Sequence, residues 1–254
     1  MLARPLGSIF AAMLCASLAL ADEREELAWR VQAVARAVRA NELSSISLEQ
    51  LELLRKRFGA DAAAAVGAVK LPKVVTVETV DPPDDPLADL LGTQPELARI
   101  GGMALAQAMH QAHTYYANAD GRLPPGVRVL LSLSFPSEVL DRVRVVDTDA
   151  EGSLPAIINE VQTRYGEAAA GGQSAVTIDD VIAFSEIPDA SAIDFWAHEV
   201  QHVVQFRKLG GIDGFAAQYA RDYRKLEADA NEVAAKALAD AHDVLTVIQA
   251  LNAH

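Results

Sequence analysis

His198 and His202 of the pentapeptide HEVQH stand at positions i and i+4, the spacing that places two side chains on one face of a helix. Both imidazoles can then reach one tetrahedral ion about 2.0–2.1 Å away, while Glu199 points at the remaining coordination position. This H-E-x-x-H pattern is typical of zinc-dependent hydrolases, in which the glutamate is the general base. We therefore predict a Zn²⁺ site with His198 and His202 as ligands and Glu199 as the catalytic residue. The alternative is a helix that carries two histidines by coincidence.

The residues around the pentapeptide predict a buried helix. A helix that is apolar on most sides lies inside a protein, and buried imidazoles and carboxylates are costly unless they are paired or bound to a metal. Asp189 or the S-x-x-D box at 191–194 is expected to cap the helix, and Gly210 with Gly211 is expected to end it. The apolar residues that carry this prediction are Phe195, Trp196, Val200, Val203, Val204 and Phe206.

A second helix, predicted to begin near Asp213 and to be interrupted midway, is the expected source of a third ligand. Zincins of the glutamate-ligand type take that ligand from a following helix, and a zinc site with two protein ligands would be weak. Glu227 in the run LEADAN is the favoured carboxylate, with Glu232 and Asp222 as competing ligands. A solvated charge on an alanine-rich helix is the alternative for Glu227.

Other side chains on the second helix could assist the site. Asp229 or Asn231 could hydrogen-bond a ligating histidine. Tyr219 and Tyr223 could stabilise an oxyanion, although aromatic packing is the favoured role for both. His242, farther along the helix, is expected to be a surface histidine.

His110 and His113 raise a rival metal site on an earlier helix, which Pro95 is expected to open. The two histidines are three positions apart, but no carboxylate follows nearby in the sequence. Tyr115 and Tyr116 next to them are typical of a half-buried supporting helix. We therefore favour a structural role for this pair.

The chain changes to β character after Gly121. Alternation of apolar and polar residues predicts a strand over 127–135, and a second strand is predicted within 141–149. A helix capped by Ser153 is expected next. The run AVTIDDVIAF at 175–184 predicts a tight hairpin around two aspartates, or one bent strand. It is a candidate edge strand for binding an extended substrate, with a purely structural strand as the equal alternative.

The N-terminus has the features of a secretory signal peptide over residues 1–21. A short positively charged start is followed by an apolar stretch and an Ala-Leu-Ala cleavage site. The apolar stretch is shorter than the ~20 residues that span a bilayer, so no stable membrane anchor is expected after cleavage. Cys15 is the only cysteine, and Leu14 before it disfavours lipid attachment. The exported chain would hold a metal with histidine and carboxylate alone.

The mature chain is predicted to contain two parts, a helical N-terminal region with a linker at 22–95 and a larger domain at 96–254. Helical spacing of apolar residues within 22–40 and a capping box at 47–50 support helices in the first part. A β-branched stretch and the run DPPDDP mark the linker. The net charge of −13 disfavours nucleic acid as a partner.

The segment from Ala175 to Ala230 resembles the zincin-like metallopeptidase core domain associated with extracellular contractile injection systems. The resemblance is carried by residues 176–184, which correspond with one residue more to an I-T-x-x-x-I-x-F strand, and by residues 198–205, which match H-E-x-x-H-V-x-Q. Phe206 departs from the family, which often has a second glutamine there. The resemblance covers about 120–235 and implies an α+β zincin-like fold, with a small mixed sheet packed on the motif helix and the following helix. A secretion-system partner is a further implication.

These features together predict an exported zinc metalloendopeptidase of the gluzincin type, located in the periplasm or outside the cell. Its partner would be a peptide or protein substrate. The ion would activate water, and Glu199 would move the water's proton to the leaving amine. The alternative is a catalytically silent binding or secretion-associated module that keeps the zincin fold.

Overall fold

The computed structural model describes residues 25–40, 53–54, 56–57, 65–66, 69–72, 93–148 and 175–253. The chain forms two compact units, Met1–Gly67 with His242–His254, and Ala68–Ala241. The predicted signal peptide, the capping box at 47–50, the DPPDDP run and the helix predicted after Ser153 lie outside the described residues. The domain boundaries inferred from the sequence therefore stay a prediction.

The described part of the first unit contains helix α1, residues 25–40. Val31, Val34 and Ala35 are its buried residues, at the helical spacing expected from the sequence. Arg39 pairs with Asp243 of the same unit at 2.7 Å. The predicted helix in this part of the chain is confirmed.

The second unit begins, within the described residues, with helix α2, Pro95–Tyr115. Pro95 lies in its first turn, where the missing N–H costs nothing and the fixed φ angle suits a helix. Short helical elements follow, namely α3 at Pro125–Leu130, a 3₁₀ turn at Leu131–Leu133 and α4 at Ser137–Leu140. The predicted helix α2 is confirmed.

The strand predicted over 127–135 is wrong, because these residues form α3 and the 3₁₀ turn. Val127, Leu130 and Leu131 are fully buried, and their spacing of three and four is that of a helix. Pro125 at the first turn starts the helix. Most of 127–135 alternates between apolar and polar residues, but Leu130 interrupts the alternation. The buried residues follow the period of a helix instead.

The sheet has three strands, β1 at Arg144–Asp147, β2 at Ala175–Ile178 and β3 at Val181–Phe184. Their order is β1-β3-β2, with β1 parallel and β2 antiparallel to β3. Asp179 in the β2–β3 turn has a φ of 57°, a conformation that aspartate tolerates in tight turns. The predicted hairpin and the strand predicted within 141–149 are both confirmed.

The sheet supports helix α5, Ile193–Leu209, which carries the HEVQH pentapeptide. This helix packs against β2 and β3 on one side and against α3 and α4 elsewhere. The predicted side-chain cap is wrong, because Ala192 occupies the cap position and no side chain bonds there. Asp189 instead accepts hydrogen bonds from the N–H and the hydroxyl of Ser191, at 2.6 and 2.5 Å. Asp189 and Ser191, the two residues predicted to cap the helix, are thus hydrogen-bonded to each other.

Helix α5 ends at Gly210, which has a φ of 85° and so adopts the left-handed conformation that glycine tolerates best. Helix α6, Ile212–Ala253, follows at once. Gly214 permits this close return, since a Cβ there would lie 1.8 Å from the carbonyl oxygen of Leu209. Asp222 interrupts α6 with non-helical φ and ψ of −162° and 71°. The predicted glycine stop is confirmed, and the second helix is interrupted as expected, but near its start rather than midway.

A hydrophobic core lies between the sheet, α2, the end of α5 and the first half of α6. Phe206 and Phe215 stack at its centre, with ring centroids 3.8 Å apart. The mixture of helices with a small sheet confirms the predicted α+β class. None of the helices seen in the described ranges has the length and apolar character to cross a membrane.

Candidate metal centre

Three ligand atoms from α5 and α6 converge on one point. The Nε2 atoms of His198 and His202 are 3.1 Å apart. The Oε2 of Glu227 lies 3.1 Å from the His198 Nε2, and the Oε1 of Glu227 lies 3.6 Å from the His202 Nε2. A tetrahedral ion with bonds of about 2.0–2.1 Å sets its ligand atoms roughly 3.3–3.4 Å apart. The three distances fit such an ion.

The hydrogen bonds of the two imidazoles point their free nitrogens at this same place. The Nδ1 of His198 lies 3.0 Å from the Oδ1 of Asn231, and the Nδ1 of His202 lies 2.8 Å from the Oε1 of Gln205. An amide oxygen only accepts, so each Nδ1 carries a hydrogen, and the Nε2 of a neutral ring would then present a lone pair. Two such lone pairs and a carboxylate facing one another repel unless a proton or a metal ion lies between them.

The break at Asp222 begins the helical segment that carries Glu227. The Oδ1 of Asp222 accepts the N–H of Lys225 at 3.3 Å, as a helix N-cap does for the third residue of its helix. Glu227 then lies in the second turn and faces α5. Asp222 and Glu232 are exposed and do not join the group of three.

His202 and Glu227 shift each other's proton affinity strongly. Burial alone would lower the pKa of His202, but the Glu227 carboxylate outweighs burial and raises it from 6.5 to about 9. Burial would likewise raise the pKa of Glu227, but hydrogen bonds from His198 and His202 hold it far below its usual value. Without an ion the pair therefore retains a proton at neutral pH, and a metal must displace it.

Glu199 is buried beside this group, with 5% of its surface exposed. Its Oε2 accepts a hydrogen bond of 2.6 Å from the hydroxyl of Thr177, a buried residue of β2. The same hydroxyl lies 3.3 Å from the backbone oxygen of Glu199. Thr177 has no role in the site predicted from the sequence, although its inward position in the predicted strand was a usable signal.

Two glutamines of α5 tie the motif helix to α6 through one carboxylate. Gln201 and Gln205 donate to the Oδ2 of Asp229, at 2.7 and 2.8 Å. Gln205 also donates to the carbonyl of Leu226 at 2.9 Å. Burial would raise the pKa of Asp229, but the two amide donors keep it below its usual value. Sequence reasoning missed both glutamines, and of Asp229 and Asn231 only Asn231 contacts a histidine directly.

The two rival histidines take part in ion pairs, His113 in a cluster with the β2–β3 turn and His110 in a separate surface pair. His113 lies 3.0 Å from Asp180 and 4.0 Å from Asp179, so the hairpin turn supplies the carboxylates that the local sequence lacks. Arg144 already fills the cluster, because its guanidinium lies 2.7 Å from Asp180 and 3.1 Å from the His113 Nε2. His110 instead pairs with Asp213 at the surface, at 3.0 Å.

Tyr219 and Tyr223 form part of a row of rings along α6. Phe215 and Tyr219 stack with centroids 5.5 Å apart, and Tyr219 and Tyr223 follow at 5.7 Å. The row starts beside the metal centre, where the rings of His202 and Phe215 meet edge to face. This arrangement accords with the packing role, while an oxyanion role stays a prediction. His242 belongs to the other unit.

Comparison with protein-family models, with curated proteins and with solved structures finds no match for this chain. Inference about function therefore depends on the geometry of the site and on the sequence motif.

Proposed function

We propose that the protein is a zinc-dependent peptidase of the gluzincin type, with a zincin-like fold around α5 and α6. The observation that supports this function best is the convergence of the His198, His202 and Glu227 ligand atoms at tetrahedral distances. The hydrogen bonds to Asn231 and Gln205 strengthen it, because they leave both Nε2 lone pairs free to bind an ion.

The donor set suits Zn²⁺. Two imidazole nitrogens and one carboxylate leave the fourth position of a tetrahedral ion open, which is the arrangement of catalytic rather than structural zinc. Imidazole and carboxylate also bind other divalent ions, so the identity of the metal belongs to the test. The second cluster, around Asp180, is the weaker candidate because the Arg144 guanidinium already pairs with Asp180.

Zinc bound here would supply a Lewis acid and lower the pKa of a bound water towards about 7. Glu199, on the motif helix between the two histidines, would take the proton of that water and deliver it to the leaving amine. Thr177 would hold the Glu199 carboxylate in one orientation through their 2.6 Å hydrogen bond. Burial of both residues restricts the motion of the base.

Strand β2 is the proposed docking edge for the substrate. It pairs with β3 on one side only among the described strands, and α5 packs against it. An extended peptide that adds to β2 by backbone hydrogen bonds would pass beside the metal helix. In this mode of binding the contacts are made to main-chain atoms of an extended chain. Peptides or unfolded protein segments are therefore the substrates that suit it.

The cellular setting in this proposal comes from the sequence. The predicted signal peptide would direct the protein to the periplasm or outside the cell, and the resemblance to the injection-system-associated core domain suggests a secretion-system partner. Neither nucleic acid nor a membrane anchor belongs to the proposal.

One observation favours a second candidate, a metal-stabilised binding module without activity. The Glu199 side chain is almost wholly buried and already hydrogen-bonded, which restricts its access to a substrate. In such a module the metal would stabilise the fold, and Glu199 would support packing alone.

Elemental analysis of the purified chain tests the metal centre. Wild type should hold one equivalent of zinc, and His198→Ala and Glu227→Ala should lose it. Glu232→Ala is the matched control, since it removes an exposed glutamate of the same helix. Equal metal content in all four proteins would reject the centre.

Hydrolysis of labelled, unfolded casein by zinc-loaded protein then separates the two candidates. Under the peptidase proposal Glu199→Gln keeps the metal and loses cleavage. Zinc-loaded wild type that cleaves neither casein nor a random peptide mixture would favour the binding module.

A further inference from the structure

Gln205 occupies a central place between the two helices of the metal centre. It lies on α5, three residues after His202, and only 3% of its surface is exposed. All of its amide functions are used. The Oε1 contacts the His202 Nδ1 at 2.8 Å, and the Nε2 donates to the Leu226 carbonyl and to the Asp229 carboxylate at 2.9 and 2.8 Å.

The partners of Gln205 determine which way its amide faces. The Leu226 carbonyl and the ionised carboxylate of Asp229 are acceptors, so the amide nitrogen must point towards them. The amide oxygen is then left for His202, whose Nδ1 must carry the hydrogen. The Nε2 of His202 consequently faces His198 and Glu227, and it is the nitrogen that offers a lone pair once the ring is neutral. The acceptors on α6 thus determine the tautomer of a histidine on α5.

The same side chain also holds the helix that supplies the third ligand. Leu226, whose carbonyl receives the Gln205 amide, immediately precedes Glu227 in the chain. Asp229 lies two residues after Glu227 and binds the same amide nitrogen. The backbone around Glu227 is therefore fixed at two points by one buried residue of the motif helix.

We infer that Gln205 is a positioning residue that holds His202 and Glu227 in register as metal ligands. This inference rests on the proposed metal centre and adds the means by which ligands from two helices are aligned. Residues that hydrogen-bond a metal ligand typically contribute 10–100-fold to metal affinity. Gln205 combines such a contact with a hold on the neighbouring helix.

Gln201 offers a matched control on the same helix. It is also a buried glutamine, with 5% of its surface exposed, and it donates to the same Oδ2 of Asp229 at 2.7 Å. Its amide nitrogen contacts neither a ligand histidine nor the Leu226 carbonyl. A general loss of packing or of the Asp229 contact should therefore affect Gln201 and Gln205 variants alike.

The test compares zinc affinity of the full chain in wild type, Gln205→Met and Gln201→Met, by competition with a chromophoric chelator. Gln205→Met should weaken zinc binding about 10–100-fold, and Gln201→Met should stay within about threefold of wild type. The visible spectrum of the Co²⁺-substituted protein should change for Gln205→Met and not for Gln201→Met. Melting of each metal-free protein shows that both variants fold.

The possible results have separate meanings. Equal zinc affinity of the two variants overturns the positioning role and leaves the metal centre intact. Failure of wild type to bind zinc overturns the proposed function, and this inference with it. If Gln205→Met does not fold, Gln205→Glu replaces it, because it keeps the acceptor for His202 and loses the donors to α6. Weaker zinc binding by Gln205→Glu than by Gln201→Glu supports the role, and equal binding overturns it.

Discussion

Thr177 and Glu199 join β2, at the edge of the described strands, to the motif helix α5 through a hydrogen bond of 2.6 Å between hydroxyl and carboxylate. Both residues are buried, with 6% and 5% of their surfaces exposed. A buried carboxylate is costly unless a donor compensates it, so the Thr177 hydroxyl both satisfies and orients the Glu199 carboxylate. The strand proposed to bind substrate and the proposed general base are thus directly linked.

Replacing Thr177 by valine should weaken both stability and turnover. The variant keeps the shape of the side chain but leaves a buried carboxylate without its donor, which costs about 1–3 kcal/mol of unfolding free energy. Turnover should fall less than in Glu199→Gln, since Glu199 remains as the base but the Thr177 hydroxyl no longer orients its carboxylate. Denaturant unfolding and casein hydrolysis measure the two effects. Thr177→Ser, which keeps the hydroxyl, should stay near wild type, and a valine variant as stable as wild type would contradict the prediction.

Stability of the metal-free protein should depend on pH through His202 and Glu227. The pKa of His202 is raised from 6.5 to about 9, so its contribution is complete below pH 6.5 and lost as the pH rises through about 9. The pKa of Glu227 is lowered from 4.5, so its contribution is present above that pH and lost as the pH falls. Their pair should therefore stabilise the fold most between pH 4.5 and 6.5.

Bound zinc should reverse the loss of stability that the metal-free protein shows as the pH rises towards 9. Binding requires unprotonated imidazoles, so the stability that zinc adds should grow from pH 6.5 to 9. Melting curves with zinc and with a chelator across that range test both statements. His202→Ala should flatten the slope of the metal-free protein, and an unchanged slope would show that another group is responsible.

Local sequence was sufficient for much of this fold. Residues 198–202 identified the motif helix, the two glycines at 210 and 211 identified its end, and the paired aspartates identified the β2–β3 turn. Each of these depends on side chains within a few positions along the chain. The helix in place of a strand at 127–135 shows the limit, because an apolar run fits either period until its packing partners are known.

The parts that sequence did not supply depend on contacts between distant segments. Thr177 meets Glu199 across a strand and a helix, and Gln205 meets Asp229 across two helices. Arg144 of β1 pairs with Asp180 of the β2–β3 turn, so the cluster around His113 is an ion-pair network, and the local sequence of neither segment indicates this contact. Asp189 and Ser191 bond each other rather than the helix N-terminus, a choice that propensity alone does not determine.

Replacing Arg144 by methionine should destabilise the protein without removing its zinc. The guanidinium donates to Asp180 and to the carbonyls of Tyr116 and Ala117, so its loss removes the charged partner of Asp180 and two hydrogen bonds to the backbone. Hydrogen bonds to charged groups contribute about 1.5–3 kcal/mol each, and exposure of the Asp180 side chain places the expected loss at the lower end. Denaturant unfolding gives the loss, and elemental analysis should still find one zinc. Two zinc equivalents in wild type would contradict the assignment of this cluster as an ion-pair network.

Replacing Asp222 by alanine should weaken zinc binding from a distance. Asp222 caps the segment of α6 that carries Glu227, and loss of such a cap costs about 0.5–2 kcal/mol. Alanine also favours a continuous helix through the break, which would turn Glu227 away from the two histidines. Asp222→Asn is the matched control, because asparagine caps helices as well as aspartate does and should keep wild-type affinity. Chelator competition measures zinc binding, and an alanine variant that binds as tightly as the asparagine variant would show that the break does not position Glu227.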